Sequence, residues 1–295
     1  MKQTVFTGAG VAIVTPFTPD LKVNFDKLGE ILEDQIANKT DAIVICGTTG
    51  EGATLSNEEH IETVRYTVEV VNHRIPVIAG TGSNDTEYAV QLSNECEKVG
   101  VDALLSVTPY YNKTSQRGLV QHYNYIADRV SAPIILYNVP SRTGVNIKPE
   151  TYFEISRHPR IVATKEANGD VAALAQTRAL CGDALDVYSG NDDEITSFMS
   201  LGAKGVISVL SNVAPRIAHD IAAKYLEGDY IGSRDLQLEY LDLCKDLFLD
   251  VNPIAVKEAM NLMGMEVGEC RLPLYKMTDE AREKLKATLA RHGLI

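Results

Sequence analysis

The chain has 295 residues, enough for one α/β barrel or for two domains of ordinary size. Its 28 Lys and Arg against 40 Asp and Glu leave a formal charge of −12, which argues against nucleic acid or an anionic membrane as partner, since both require a basic face. Hydrophobic residues at 45% and charged residues at 23% are ordinary globular usage and argue against disordered and fibrous classes.

In chain order, short apolar, β-branched runs recur at 11–15, 42–46, 76–79, 103–107, 133–137, 161–164, 186–188 and 205–209. Their unbroken apolar character predicts strands covered on both faces, the habit of parallel sheets. Between them lie helix signals: Asn57 as cap of one stretch, Asp85 or Asn84 as cap of the next with Gly100 ending it, and Pro149 in a first helical turn. Eight β-then-α units predict a closed (β/α)8 TIM barrel over residues 1–227. Residues 228–295 lack strand-like runs and predict a C-terminal helical region, with helices near 229–249, 252–264 and 277–292.

Five cysteines spread without close pairing read as reduced thiols and so as a cytoplasmic protein. No run approaches ~18 uninterrupted apolar residues and no apolar leader opens the chain, so a soluble, unexported protein is expected. The histidines never fall at i, i+4 and no Cys-x-x-Cys occurs, which gives no metal site. His60 and His219 read as polar positions on helices. Gly8-Ala-Gly10 and Gly80-Thr-Gly82 do not continue to a third glycine, so a dinucleotide fingerprint is incomplete.

Active-site groups of such a barrel gather just after each strand, and the unusual residues do so: GTTGE (47–51), GTGSND (80–85), TPYYN (108–112), YNVPSRTG (137–144), KEAN (165–168), SGND (189–192) and SVLSN (208–212). Lys165 ends an apolar strand, where burial would lower its pKa and free an amine to capture a carbonyl. An ion pair with Glu166 is the competing reading. Lys257 shares the Lys-Glu-Ala triplet but opens a helical stretch and is expected to reach solvent, and Lys204 precedes its strand. Tyr137, one strand before the lysine, offers a hydroxyl that both donates and accepts; a core tyrosine is the alternative. Thr48 and Thr49 between Gly47 and Gly50 combine hydroxyls with open backbone N–H groups suited to a carboxylate. Arg142 matches a carboxylate in bidentate fashion, or forms a surface ion pair. Tyr110 and Tyr111 make an aromatic loop tip that fits a contact with ligand or subunit.

With GTTGE, TPYYN, YNVPSRTG, TKEANGD and GVISV in register on these strands, the chain resembles the dihydrodipicolinate synthase family of the pyruvate-dependent aldolases, from GAGVAIVTPF to NPIAVKEAM. The resemblance implies that Lys165 forms a Schiff base with pyruvate and that Tyr137, Thr48 and Tyr111 form a proton relay, Tyr111 reaching into the neighbouring subunit. It implies that Thr49 holds the pyruvate carboxylate, that Arg142 receives aspartate semialdehyde, and that Gly190 and Ile207 line the pocket. It also implies a homo-oligomer, a tetramer built as a dimer of dimers, without metal or organic cofactor. N-acetylneuraminate lyases share the lysine, the tyrosine and a GTTGE-like loop but not the SRTG arginine, so they stand second. A sugar-phosphate isomerase would need glycine-rich loops after strands seven and eight, and a sensor on the same fold would not need these side chains together. Of the polar positions used by lysine-inhibited members, His60, Asn84 and Tyr110 match, whereas Gly52, Asn57 and Tyr88 replace a serine, a histidine and a glutamate. Weak or absent lysine inhibition is therefore expected.

Overall fold

The computed structural model describes residues 2–295. Strands β1 (Gly8–Ala12), β2 (Ala42–Ile45), β3 (Val77–Gly80), β4 (Ala103–Val107), β5 (Ile134–Asn138), β6 (Ile161–Glu166), β7 (Asp186–Ser189) and β8 (Gly205–Ser208) pair in chain order and parallel, and β8 returns to β1. The sheet is a closed barrel wrapped in helices, the predicted fold class. Its strands are apolar on both faces because two separate cores flank them. One core fills the barrel with Ala12, Val44, Ile78, Leu105, Ile135, Tyr137, Tyr188 and Ile207. The other lies between strands and helices and takes Val11, Ile43, Ile45, Ala79, Leu104, Leu136 and Val206 from the outward faces.

The amino-terminal end of the barrel is closed by Phe6, whose ring stacks on Tyr188 at 4.3 Å and 9°, while the Tyr188 hydroxyl donates to the Phe6 carbonyl at 2.7 Å. Gly10 makes room for that ring, since a Cβ there would lie 2.9 Å from Phe6 Cζ. Strand β1 starts three residues earlier than its apolar run, because Gly8 and Gly10 carry no side-chain signal for a strand. The helix Asn57–Val71 is capped by Ser56 rather than Asn57: Ser56 and Glu59 form a reciprocal capping box. The expected helix at 229–249 is two, Tyr230–Glu239 and Leu241–Asp246, broken where Tyr240 leaves helical angles and stacks on His292 at 4.4 Å. Helices Ile254–Leu262 and Asp279–Arg291 complete the chain.

Candidate active site

Strand alternation decides what reaches the open end of the barrel. Tyr137 pairs with Lys165, and Lys165 with Tyr188, on the inward face. The next residues, Asn138 and Glu166, pair on the outward face. Glu166 is therefore no partner for Lys165. Its carboxylate accepts from Asn138 Nδ2 at 2.9 and 3.1 Å, from the Tyr152 hydroxyl at 2.7 Å and from the Asn168 amide at 3.1 Å. The ion-pair alternative read from the sequence is thus replaced by a buried polar clamp behind the strand.

Lys165 is 5% exposed, and its Nζ lies over the Tyr137 ring, 4.5 Å from the centroid. Burial brings its pKa down to about 8, helped by the positive Arg142 and opposed by Asp192. Burial also pushes the Tyr137 phenol above its ordinary value, against the pull of Arg142 and of a hydrogen bond from Thr48. Asp192 takes amide hydrogens from Val209 and Leu210 at 2.9 Å each through Oδ2, and its Oδ1 is buried with no protein partner. The sequence reading placed the SGND loop at the catalytic face and took Gly190 from it, but passed over this carboxylate.

A cleft of about 490 Å³ opens at this end. Thr48, Tyr137 and Arg142 line it together with His60, Tyr88 and Tyr110. Asn252, Pro253, Pro273 and Leu274 from the carboxy-terminal region form a wall. Thr49 is buried beneath the loop, its Oγ1 accepting from Asn252 Nδ2 at 2.9 Å, and Arg142 Nη2 donates to the Asn252 carbonyl at 3.2 Å. Ile207 is buried inside the barrel, and Gly190 packs where a Cβ would meet Ala167 at 2.7 Å. Tyr111 stands apart from this group, 91% exposed and at φ 69°.

Lys257 departs most from its sequence reading. It is 1% exposed, not solvated, because the helix that carries it also buries Ile254, Ala255, Val256, Ala259 and Met260. Its Nζ pairs with Glu51 Oε1 at 2.9 Å. The Asn252 wall and the Lys257–Glu51 pair both lie in segments that periodicity marks only as helix and turn. The acid inside GTTGE was the available signal. Among the described residues no group of three or more His, Cys, Asp or Glu side chains is arranged to hold a metal ion.

An amine whose pKa burial lowers to about 8, beside a phenol and a threonine hydroxyl that can pass protons, captures a carbonyl and moves the hydrogen next to it. At the carboxyl-terminal mouth of a (β/α)8 barrel, that chemistry defines a Schiff-base-forming lyase. The chain matches the Dihydrodipicolinate synthetase family over residues 5–292 and belongs to it. It is 54% identical over 295 residues to the 4-hydroxy-tetrahydrodipicolinate synthase of Acetivibrio thermocellus, with both chains covered in full. It is 55% identical to that of Lachnoclostridium phytofermentans over 294 residues, 99% of this chain and 100% of the relative. Of solved structures, the chloride-inhibited dihydrodipicolinate synthase from Acinetobacter baumannii complexed with pyruvate matches with a TM-score of 0.97 at 41% identity, covering 99% of this chain and 100% of that one.

Proposed function

We infer that the protein condenses pyruvate with L-aspartate 4-semialdehyde to 4-hydroxy-tetrahydrodipicolinate, the step that commits carbon to lysine and diaminopimelate. The Lys165 amine attacks the pyruvate ketone and expels water, giving an imine. Removal of a methyl proton through the Tyr137 and Thr48 hydroxyls gives the enamine, whose carbon attacks the semialdehyde aldehyde. The amino group of the second substrate then displaces Lys165 from the imine carbon and closes the ring. Thr49 and the loop amides hold the pyruvate carboxylate, and Arg142 holds that of the semialdehyde. Gly190 and Ile207 shape the floor beside the enamine.

The lowered pKa of a buried lysine held on a tyrosine ring carries this reading. The exposure of Tyr111 supports a homo-oligomer in which that phenol completes the relay of a neighbouring subunit; assembly of the pairs into a tetramer is what membership of the family implies. Five free cysteines support a place in the cytoplasm. Purified protein should consume both substrates in a coupled synthase assay, leave N-acetylneuraminate untouched, and be trapped by borohydride with pyruvate on Lys165. K165A should lose the adduct and at least ~10³ of kcat. An adduct elsewhere, or none, rejects the mechanism.

A further inference from the structure

Among the described residues two lysines are buried, Lys165 and Lys257, and the mechanism uses the first. The second is fully coordinated: Lys257 Nζ donates to the Thr15 carbonyl at 3.1 Å, to the Glu269 carbonyl at 2.9 Å and to Glu51 Oε1 at 2.9 Å. It lies 4.3 Å from the centre of the Phe17 ring. The other Glu51 oxygen accepts from the Arg271 amide at 2.9 Å. Burying both charges costs desolvation that their attraction barely recovers, so what such a pair supplies is a defined geometry.

That geometry is imposed on the substrate loop. Glu51 closes GTTGE in a left-handed conformation, φ 53°, and its amide donates to the Thr48 carbonyl at 3.1 Å. Two residues before the helix of Lys257, Asn252 holds the Thr49 hydroxyl. Thr49 is thus tied directly to one short stretch of the carboxy-terminal region, and Thr48 indirectly, through its backbone bond to Glu51 and the pairing of Glu51 with Lys257. The loop's other hydrogen bonds, from the Gly52 amide to the Gly47 carbonyl at 3.1 Å and from the Thr15 hydroxyl to the Gly50 carbonyl at 2.7 Å, hold its backbone and leave the two hydroxyls to these ties.

We propose that Lys257 is a positioning residue for pyruvate capture, fixing the Thr48–Thr49 loop through Glu51 and so making the carboxy-terminal helices a working part of the active site. This rests on the function proposed above. Lys257 touches neither substrate and acts through Glu51, whereas Arg142 is held by the Asn252 carbonyl, so loss of Lys257 acts first on the reactant that the threonines serve and less on the one that Arg142 serves.

The test is a steady-state comparison of K257M and E51D with the wild type, with R282A as control for loosening of the same region. R282A breaks the partly exposed pair between Arg282 and Glu258, 2.6 Å apart. K257M is expected to raise the pyruvate KM about tenfold or more and lower kcat, as displacements near 1 Å do, with the semialdehyde KM within about twofold. E51D, which keeps the charge and withdraws it by one methylene, should show the same split in smaller measure and decides the matter where K257M fails to fold. R282A should keep both KM values. Equal changes in both KM values, or a fall in kcat alone, overturns the proposal. Borohydride trapping of the wild type separates the two claims: without an adduct the function itself fails, whereas an adduct with no KM split removes only the role of Lys257.

Discussion

Along β6, Lys165 and Glu166 point to opposite faces, and burial moves their titrations in opposite senses: the amine comes down to about 8 and the carboxyl goes up to about 7. For Lys165 the reactive form is the neutral one, whose fraction grows as pH rises. Imine formation with pyruvate should therefore accelerate up to about pH 8 and level off above it. Arg142 depresses the lysine pKa, so R142A should move that midpoint to higher pH, read by quenching the pyruvate reaction with borohydride at several pH values. A shift in the acid direction contradicts this electrostatic account. In the same cleft, the Tyr88 hydroxyl donates to Asn57 Oδ1, so two of the residues that depart from the lysine-inhibited pattern engage each other. His60 is buried, and burial lowers its pKa. Neither arrangement offers a carboxylate to an ammonium group, and added lysine should inhibit weakly or not at all. Inhibition at micromolar lysine in a steady-state assay contradicts that expectation.

At the scale of elements, the pairing of β5 with β6 carries the site. The outward clamp of Glu166, Asn138 and Tyr152 fixes the register whose inward neighbours are Tyr137 and Lys165. Asn138 cannot turn over, because its Oδ1 accepts from the Ile147 amide at 3.1 Å and its Nδ2 also donates to Asn146 at 2.7 Å. E166Q therefore sets an amide against donors and should lower stability by about 1–3 kcal/mol, measured by denaturant unfolding. Unchanged stability would show that the clamp is not what holds this register. The existence and order of the strands were legible because a strand covered on both faces must be apolar on both. The start of β1 was not, since Gly8 and Gly205 are chosen for contact between strands: a Cβ on Gly205 would stand 1.8 Å from the Gly8 carbonyl oxygen. Likewise the register shift between Ile134 and Ile135 depends on how two strands meet.

At the scale of the whole molecule, the Tyr111 phenol stands exposed at positive φ on a loop tip, and the role proposed for it above lies in an assembly. If Tyr111 serves a neighbouring site, K165A and Y111A should each be nearly inactive alone, and hybrids formed from a mixture should regain activity, since one mixed site holds both residues. Failure of well-formed hybrids to regain activity rejects that arrangement. Within one chain, the sequence by itself determined the barrel, the loops that form its mouth, and Lys165, Tyr137, Thr48, Thr49 and Arg142 as candidates, because strand ends and residue chemistry are local properties. Only the tertiary structure decided that Lys165 faces Tyr137 and not Glu166, that Asp192 bears on its charge, and that Lys257 is buried. It also decided that the carboxy-terminal helices hold the GTTGE loop, through contacts such as Lys257 to Glu51, 206 residues apart. Such partners meet through the closure of the barrel and the burial of an ion pair, and neither leaves a periodic trace in the chain.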